Sequence, residues 1–311
     1  MTTTEFFSEW LSDERLELER STYEAYTIYF NKHIIPYFDS VGDLKNLTAR
    51  HIKNYVNYKR TDGRCDGKQG GLSDVTVKKH LSLIKQALNE AVVLGYISAN
   101  PSLSVRLKRS TKAIADRTVL LTPEEGEKII KAFDGHPLRA CVVLALVYGL
   151  RRSEVLGLKW SAIDFEHDAL HIEHTVVKGL TIEAKDRTKT ASSRASFDLF
   201  PNIKKMLLEL YEKRPKNSEY INAREDGTVF RPDYVTRGFQ RVLKNNGFRQ
   251  MRFHDLRHST ASILFDRGVS IEEVKIWLRH DDIETTMNIY VHYSRRRKKL
   301  VSNAVSEIFQ K

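Results

Sequence analysis

A mainly α-helical protein with one small β-sheet, divided between two domains, is what this sequence predicts. Three observations carry the prediction. Apolar residues recur at intervals of three and four along most of the chain, the spacing that gathers them on one side of a helix. Over residues 168–200 the interval drops to two, the spacing of a strand with one buried face. A basic, weakly periodic stretch at 107–119 divides the chain, and 311 residues are enough to build a separate core on each side of it.

The elements follow in order. Residues 5–17 hold Phe6, Phe7, Trp10 and Leu11 at helical spacing. Ser21 is placed to cap a second helix running to about Ile35, with Tyr23, Tyr26 and Phe30 along one side. Pro36 ends or kinks it, because proline has no N–H to give the helix. A third helix covers about 48–60, with Ile52, Tyr55 and Val56 inward. Asp62-Gly63-Arg64 and the run from Gly67 to Gly71 make a loop. A long fourth helix opens near Ser73 with an apolar stripe of Val77, Leu81, Ile84, Leu88, Ala91 and Val92, and Gly95 and Pro101 terminate it. Residues 1–106 thus read as one helical domain, 107–119 as a linker and 120–311 as a second domain.

The second domain opens on Thr122-Pro123-Glu124-Glu125, a cap residue, a proline at the first helical position and a glutamate at the third. Helices run to about Leu158. Leu170, Ile172 and His174, then Thr181 and Ile182, then Ala195, Phe197 and Leu199 predict three short strands, with turns at Lys178-Gly179 and Ala191-Ser192-Ser193. Helices resume near Pro201. Gly268 stops one of them, and Ser270-Ile271-Glu272-Glu273 is a further capping box. Val301, Val305, Ile308 and Phe309 line a last helix, too short to bury that face alone.

Fifty-one Lys and Arg face forty Asp and Glu, a net charge of +11. Such a surplus attracts polyanions, nucleic acid foremost. No apolar run is long enough to cross a bilayer, and Met1-Thr2-Thr3-Thr4-Glu5 lacks the basic-then-apolar pattern of a secretory leader, so a cytoplasmic protein without a membrane partner is expected. The two cysteines, Cys65 and Cys141, are far apart and in no metal or redox pair; both read as reduced thiols, Cys141 in the core and Cys65 exposed. Neither a metal site nor a cofactor is expected.

Four stretches carry chemistry. They are Gly149-Leu150-Arg151-Arg152-Ser153-Glu154, Arg187-Thr188-Lys189-Thr190, His254-Asp255-Leu256-Arg257-His258, and Leu278-Arg279-His280 ten residues before Tyr290. His254 and Arg257 are three apart, so a helix presents both on one face, and Arg151 and Glu154 share that spacing. Glu154 can hold the Arg151 guanidinium by a charge-assisted bond. Two arginines, two histidines and a lysine gathered together suit a phosphate, because a guanidinium fork matches two of its oxygens. Singly, each has an ordinary reading: an Arg–Glu pair is commonly structural, a histidine among apolar residues is commonly a satisfied core residue, and Tyr290 is one of thirteen tyrosines.

The order and spacing of Gly-Leu-Arg-x-x-Glu, Thr-Lys-Thr before a strand, His-x-Leu-Arg-His, and a histidine followed ten later by tyrosine resemble the tyrosine recombinases, the family of phage and conjugative-transposon integrases and of the Xer and Cre recombinases. The resemblance runs essentially the whole chain, including Gly95-Tyr96-Ile97-Ser98-Ala99-Asn100-Pro101 at the end of the first domain. It implies a helical, SAM-like core-binding domain and a mixed α/β catalytic domain, closing as a C-shaped clamp on DNA. It implies site-specific cutting and rejoining of DNA through a 3′-phosphotyrosine link, in the service of a mobile element. Arg151 and Arg257 would grip the non-bridging oxygens of the scissile phosphate, Lys189 would protonate the leaving 5′-oxygen, and His254 would assist proton transfer. His280 would bond the phosphate, and Tyr290 would attack it. Preorganised cations lower the barrier to phosphoryl transfer, and the covalent link conserves the bond energy, so no nucleotide cofactor is needed.

The same resemblance implies partners: double-stranded DNA recombination sites, a homotetramer assembled through the C-terminal helix in trans, and an excisionase or DNA-bending accessory protein. It places the protein at the nucleoid when bound to DNA. The arm-binding module that often precedes such chains is expected to be absent or to lie outside this one. Lys78, Lys79 and Lys85, off the apolar stripe of the fourth helix, are read as DNA contacts. Arg279 stands where the family often has glycine and is read as touching a phosphate or facing solvent. Tyr293 is set aside in favour of Tyr290 by its spacing from His280. Two other readings share part of the pattern: a catalytically idle DNA-binding relative, and a type IB topoisomerase-like enzyme that relaxes strands without exchanging partners.

Overall fold

Thr2 opens the first helix, α1 (Thr3–Glu17): its hydroxyl accepts the Glu5 N–H at 3.1 Å, and the Glu5 carboxylate accepts the Thr2 N–H at 2.8 Å. The computed structural model describes residues 1–107, 119–178, 182–185 and 195–309. The chain divides into two compact units, Met1–Ala115 and Asp116–Lys311.

In the first unit α1 is followed by α2 (Arg20–Tyr29), a π-helical turn (Phe30–Ile34), α3 (Ile35–Phe38), α4 (Ala49–Asp62) and α5 (Asp74–Val93). The expected cap at Ser21 is not the one used: α2 begins at Arg20, with Glu19 in the cap position and no side-chain bond there. Pro36 does not end the helical run. It sits near the start of α3, and the chain accommodates it by widening the preceding turn, so that the Ile35 N–H bonds to the Phe30 carbonyl five residues back. Proline offers no N–H to the Lys32 carbonyl, and the Cys65 thiol donates to that carbonyl instead, at 3.4 Å. Phe6, Phe7, Phe30, Phe38, Tyr55 and Ile84 fill the core, and Trp10 Nε1 ties α1 to α5 through the Glu90 carboxylate at 2.7 Å.

The second unit carries α6 (Pro123–Ala132), α7 (Arg139–Val147), α8 (Arg152–Gly157), α9 (Pro201–Glu212), α10 (Pro232–Asn245), α11 (Asp255–Asp266), α12 (Ile271–Leu278) and α13 (Ile283–Phe309). Thr122 and Ser270 both make the capping boxes their sequences predict, on α6 and α12. Where three strands were expected, the described residues hold five: β1 (Ile163–Asp164), β2 (Ala169–Ile172), β3 (Thr175–Lys178), β4 (Ile182–Lys185) and β5 (Ala195–Asp198). β1, β2 and β5 form one antiparallel sheet, with Leu170 opposite Phe197, and β3 and β4 form a separate antiparallel pair. His174 lies between β2 and β3 rather than within a strand. Two short apolar runs there follow each other with no turn residue, and β1 is too brief to show a period. Gly179, Thr181, the turn at 191–193 and nearly all of the basic stretch 107–119 fall outside the described residues.

Two close approaches fix the helices that matter for the site. Gly157 ends α8 against the next segment; a Cβ there would lie 2.5 Å from the His174 carbonyl oxygen. Thr260 Oγ1 donates to the Leu146 carbonyl at 2.7 Å and thereby fastens α11 to α7. Among the described residues no helix is long and apolar enough to cross a membrane.

Candidate active site

α7 is buried along its length and ends in a turn that glycine alone makes without strain: Gly149 has φ +64°, and a Cβ there would come within 2.3 Å of Leu278 Cδ2. The turn delivers Arg151 to the cap position of α8 and sets Glu154 one turn inside it. Glu154 is the hub of the site. It accepts the Arg151 backbone N–H at 2.7 Å and Arg151 Nη1 at 2.8 Å, and it accepts Arg279 Nη2 at 2.8 Å. Burial alone would raise its pKa, but Arg279, Arg151, the backbone bond and Arg257 outweigh burial and hold the carboxyl below its ordinary range.

Arg257 comes from the first turn of α11 and is 1% exposed. Its Nη1 donates to the Gly149 carbonyl at 2.6 Å, its Nη2 donates to the Leu278 carbonyl, and its Nε lies 3.4 Å from His280 Nε2. Arg151 Nη2 donates to the next carbonyl along, that of Arg279, at 2.9 Å. The two arginines therefore hold consecutive carbonyls of the turn that leads from α12 to His280. Burial first, and then the charge of Arg151, push Arg257 down to about 9, so it is cationic at neutral pH.

His280 is buried, and its Nδ1 lies 2.7 Å from Thr286 Oγ1 in the first turns of α13. The Arg257 N–H facing Nε2 assigns the ring proton to Nδ1, which then donates to Thr286. Burial, followed by Arg257 and Arg151, pushes His280 down to about 3. His254 caps α11, and its ring meets His258 edge-on, centroids 4.8 Å apart. His254 keeps one side open to solvent, but desolvation and then Arg257 lower it to about 4; desolvation and then His254 bring His258 to the same value. All three imidazoles are neutral at pH 7; Arg151 and Arg279 share the carboxylate of Glu154, and Arg257 is held by the carbonyls of Gly149 and Leu278.

Tyr290 differs from these groups. It is 37% exposed, its ring meets Phe265 edge-on at 5.2 Å, and among the described residues its hydroxyl makes no hydrogen bond. It lies one helical turn beyond Thr286, on the same face of α13. Thr286 bonds His280, so the helix face that carries the phenol also carries the anchor of the histidine. Tyr293, by contrast, has its hydroxyl on the Phe265 carbonyl at 3.4 Å.

The structure thus brings Arg151, Glu154, His254, Arg257 and His280 together and sets Tyr290 on the adjoining helix. Lys189 lies outside the described residues. Lys78 and Lys79 are exposed and Lys85 is half-buried on α5, in the other unit. Arg279 departs from its expected place. It is 6% exposed, its guanidinium is committed to Glu154 and lies 5.3 Å from the Phe197 ring centre, so it does not face solvent. Its φ of +57° marks the left-handed position after a helix where glycine is common, which is the signal the sequence did carry. Sequence reasoning missed Thr286 and the carbonyls of Gly149, Leu278 and Arg279. Backbone acceptors leave no trace in residue identity.

A profile of the Phage integrase family matches residues 120–297, and one of the Phage integrase, N-terminal SAM-like domain matches residues 2–60. A tyrosine recombinase XerC-like protein of Caldanaerobacter subterraneus subsp. tengcongensis is 30% identical over 78% of this chain and 68% of its own. The ICEBs1 integrase of Bacillus subtilis is 26% identical over 96% of this chain and 81% of its own. Among solved structures, the Tn1549 transposon integrase in complex with a circular intermediate DNA superposes with a TM-score of 0.78 at 18% identity, covering 97% of this chain and 99% of that one. A lambda integrase tetramer bound to a Holliday junction gives 0.67 at 21% identity, covering 91% and 78%. At these identities the structural likeness speaks for the fold.

Proposed function

The chain belongs to the phage integrase family of tyrosine recombinases, DNA strand-cleaving and rejoining enzymes, and from that premise we propose how its residues divide the work. The observation that supports the reading best is the pair of guanidiniums beside neutral imidazoles: Arg257 is bound by carbonyls and an imidazole, Arg151 keeps part of its side chain exposed, and an anion completes them. A scissile phosphodiester is that anion. Arg151, whose side chain keeps 30% exposure, meets it from the open side, and Arg257 supports it from the floor. Glu154 keeps Arg151 aimed, and Arg279 balances Glu154 from behind.

The Tyr290 oxygen attacks phosphorus, the bond to the 5′-oxygen breaks, and a 3′-phosphotyrosine forms. Charge gathers on the non-bridging oxygens in the transition state, and each well-placed donor there contributes on the order of 3–4 kcal/mol. His280 bonds the phosphate in the tautomer that carries its proton on Nε2, with the Thr286 hydroxyl then donating to Nδ1, and neutral His254 accepts and returns the proton. Lys189 gives its proton to the leaving 5′-oxygen. The reverse attack by a 5′-hydroxyl rejoins the strand without an external energy source.

The wider reading is integration or excision of a mobile element in the cytoplasm, by a homotetramer on two double-stranded DNA sites. The apolar stripe of the C-terminal helix docks on a neighbouring protomer, and an excisionase or DNA-bending protein assists. Residues 1–106 serve as the core-binding domain, 107–119 as a basic strap along the backbone, and Lys78, Lys79 and Lys85 meet phosphates. Incubation with a nicked duplex carrying the target site tests the chemistry. The expected product is a covalent adduct at a 3′ end, with a free 5′-hydroxyl released; an adduct at a 5′ end, or none, overturns the proposal.

A further inference from the structure

The first unit holds a second concentration of titratable groups, remote in sequence from the arginine cluster. A cavity of about 380 Å³ opens between the π-helical turn, the loop after α4 and the start of α5, and its walls include Lys32, His33, Arg64, Cys65, Ser73 and Thr76. Asp66 also lines it, but that carboxylate is taken by Arg64 at 2.9 and 2.5 Å. Behind this wall lies Lys59, 4% exposed. Among the described residues no acid and no hydrogen-bond acceptor meets its ammonium, which lies 5.5 and 4.9 Å from the ring centres of Tyr55 and Tyr58. Its charge contributes to lowering His33, which lies in the cavity wall. A buried ammonium without a counter-ion favours any anion that reaches it.

Cys65 is exposed, and its Sγ lies 3.5 Å from His33 Nδ1. Burial, then Lys59 and Lys32, lower His33 and keep it neutral, able to take a proton. Capping the Lys32 carbonyl does not by itself call for sulfur, since a serine hydroxyl could do it.

We propose that Cys65 is a thiol-modification site whose cavity takes low-molecular-weight disulfides bearing carboxylates. Sγ attacks one sulfur of R–S–S–R while its proton passes to His33 Nδ1. The Sγ–S bond forms, the S–S bond breaks, and the departing thiolate takes the proton back. Cys65 is oxidised to a mixed disulfide and the small disulfide is reduced to one equivalent of thiol. The carboxylates of the bound half meet Lys32 in the wall, and the buried charge of Lys59 behind it adds to the attraction. Cys141 does not compete, because it is fully buried with its thiol on Asn222 at 3.0 Å. The proposal makes no use of the arginine cluster, and its outcome leaves the strand-exchange reading untouched.

The test is uptake of oxidised glutathione by the native full-length chain, followed by mass spectrometry and peptide mapping. One adduct is expected, on Cys65, forming at least about tenfold faster than on a peptide of residues 59–71. Cystamine, a cationic disulfide of the same chemistry, should react about three to ten times more slowly at low salt, with the gap closing at high salt. Lys32→Gln, an exposed change that leaves folding intact, should narrow the same gap, and His33→Gln should slow both reagents. Cys65→Ser should give no adduct while keeping the strand-cleavage rate. Native uptake no faster than the peptide's, cystamine faster than oxidised glutathione, or an adduct on Cys141 would each overturn the assignment.

Discussion

The arginine cluster and Tyr290 serve one proposed reaction, yet they are built in opposite ways. Arg257 is 1% exposed and bound to two carbonyls and a histidine, whereas Tyr290 is 37% exposed with a hydroxyl that bonds nothing among the described residues. The cluster is part of the framework of the second unit: the same bonds that aim its guanidiniums hold the Gly149 turn against the end of α12. The ring of the tyrosine rests against Phe265, but its hydroxyl adds no bond to that framework among the described residues. Groups that must be charged and still are preorganised by burial, where the protein has already met the cost of their desolvation. The group that must travel to phosphorus and back is left loose. Chemistry and stability should therefore separate at Tyr290 and be entangled at the arginines.

The sharpest break is Tyr290→Phe. Covalent adducts on a nicked target should disappear, while DNA affinity stays and unfolding free energy shifts by no more than about 0.5 kcal/mol, as for an ordinary surface change. Denaturant unfolding and gel-resolved adduct formation read the two quantities. A large stability loss would mean that the phenol is structural after all.

Arg257→Ala should fail on both counts. Loss of one phosphate-directed donor costs on the order of 10²–10³ in cleavage rate, and the carbonyls of Gly149 and Leu278 lose their donor, at about 1–3 kcal/mol for each group left unsatisfied. Glu154→Gln comes next. It leaves the guanidiniums of Arg151 and Arg279 without their shared counter-charge, and a lost buried partner costs about 3–5 kcal/mol. The rate should fall less than for Arg257→Ala, because Arg151 keeps its bond to the Arg279 carbonyl. Equal stability for Tyr290→Phe and Glu154→Gln would erase the contrast between the two regions.

Acid gives the smallest effect near neutral pH, and one that grows as pH falls. His280 ordinarily titrates near 6.5 and is lowered to about 3 in the fold, so its neutral form is favoured there. The stability this contributes is complete above pH 6.5 and is lost as pH falls toward 3, because the unfolded chain takes up the proton first. The slope from one such proton is about 1.4 kcal/mol per pH unit. Urea titrations at pH 7, 6, 5 and 4 should show it together with the like contributions of His254 and His258, and His280→Asn should lower the slope by the share of that one proton.

Much of this site could be read from the sequence, because short motifs place its side chains. Arg151 and Glu154 sit three apart at a helix start, as do His254 and Arg257, and that spacing forces each pair onto one face. What stayed hidden depends on contacts between distant segments. Glu154 and Arg279 meet across 125 positions, and nothing local distinguishes an arginine in the left-handed position after α12 from a solvent-facing one. The π-helical turn before Pro36 was hidden for a related reason: proline signals a missing bond, and how the chain absorbs the loss is decided by packing. β3 escaped because Ile172 and Val176 belong to successive strands with only Glu173 and His174 between them.

The central claim is that Tyr290, and no other tyrosine, attacks the phosphate held by Arg151 and Arg257. Trapping the adduct on a nicked substrate, digesting it and sequencing the DNA-linked peptide tests this directly. The account predicts a nucleotide on Tyr290 in the peptide that contains His292. DNA on Tyr293, or on a tyrosine of the first unit, would contradict it.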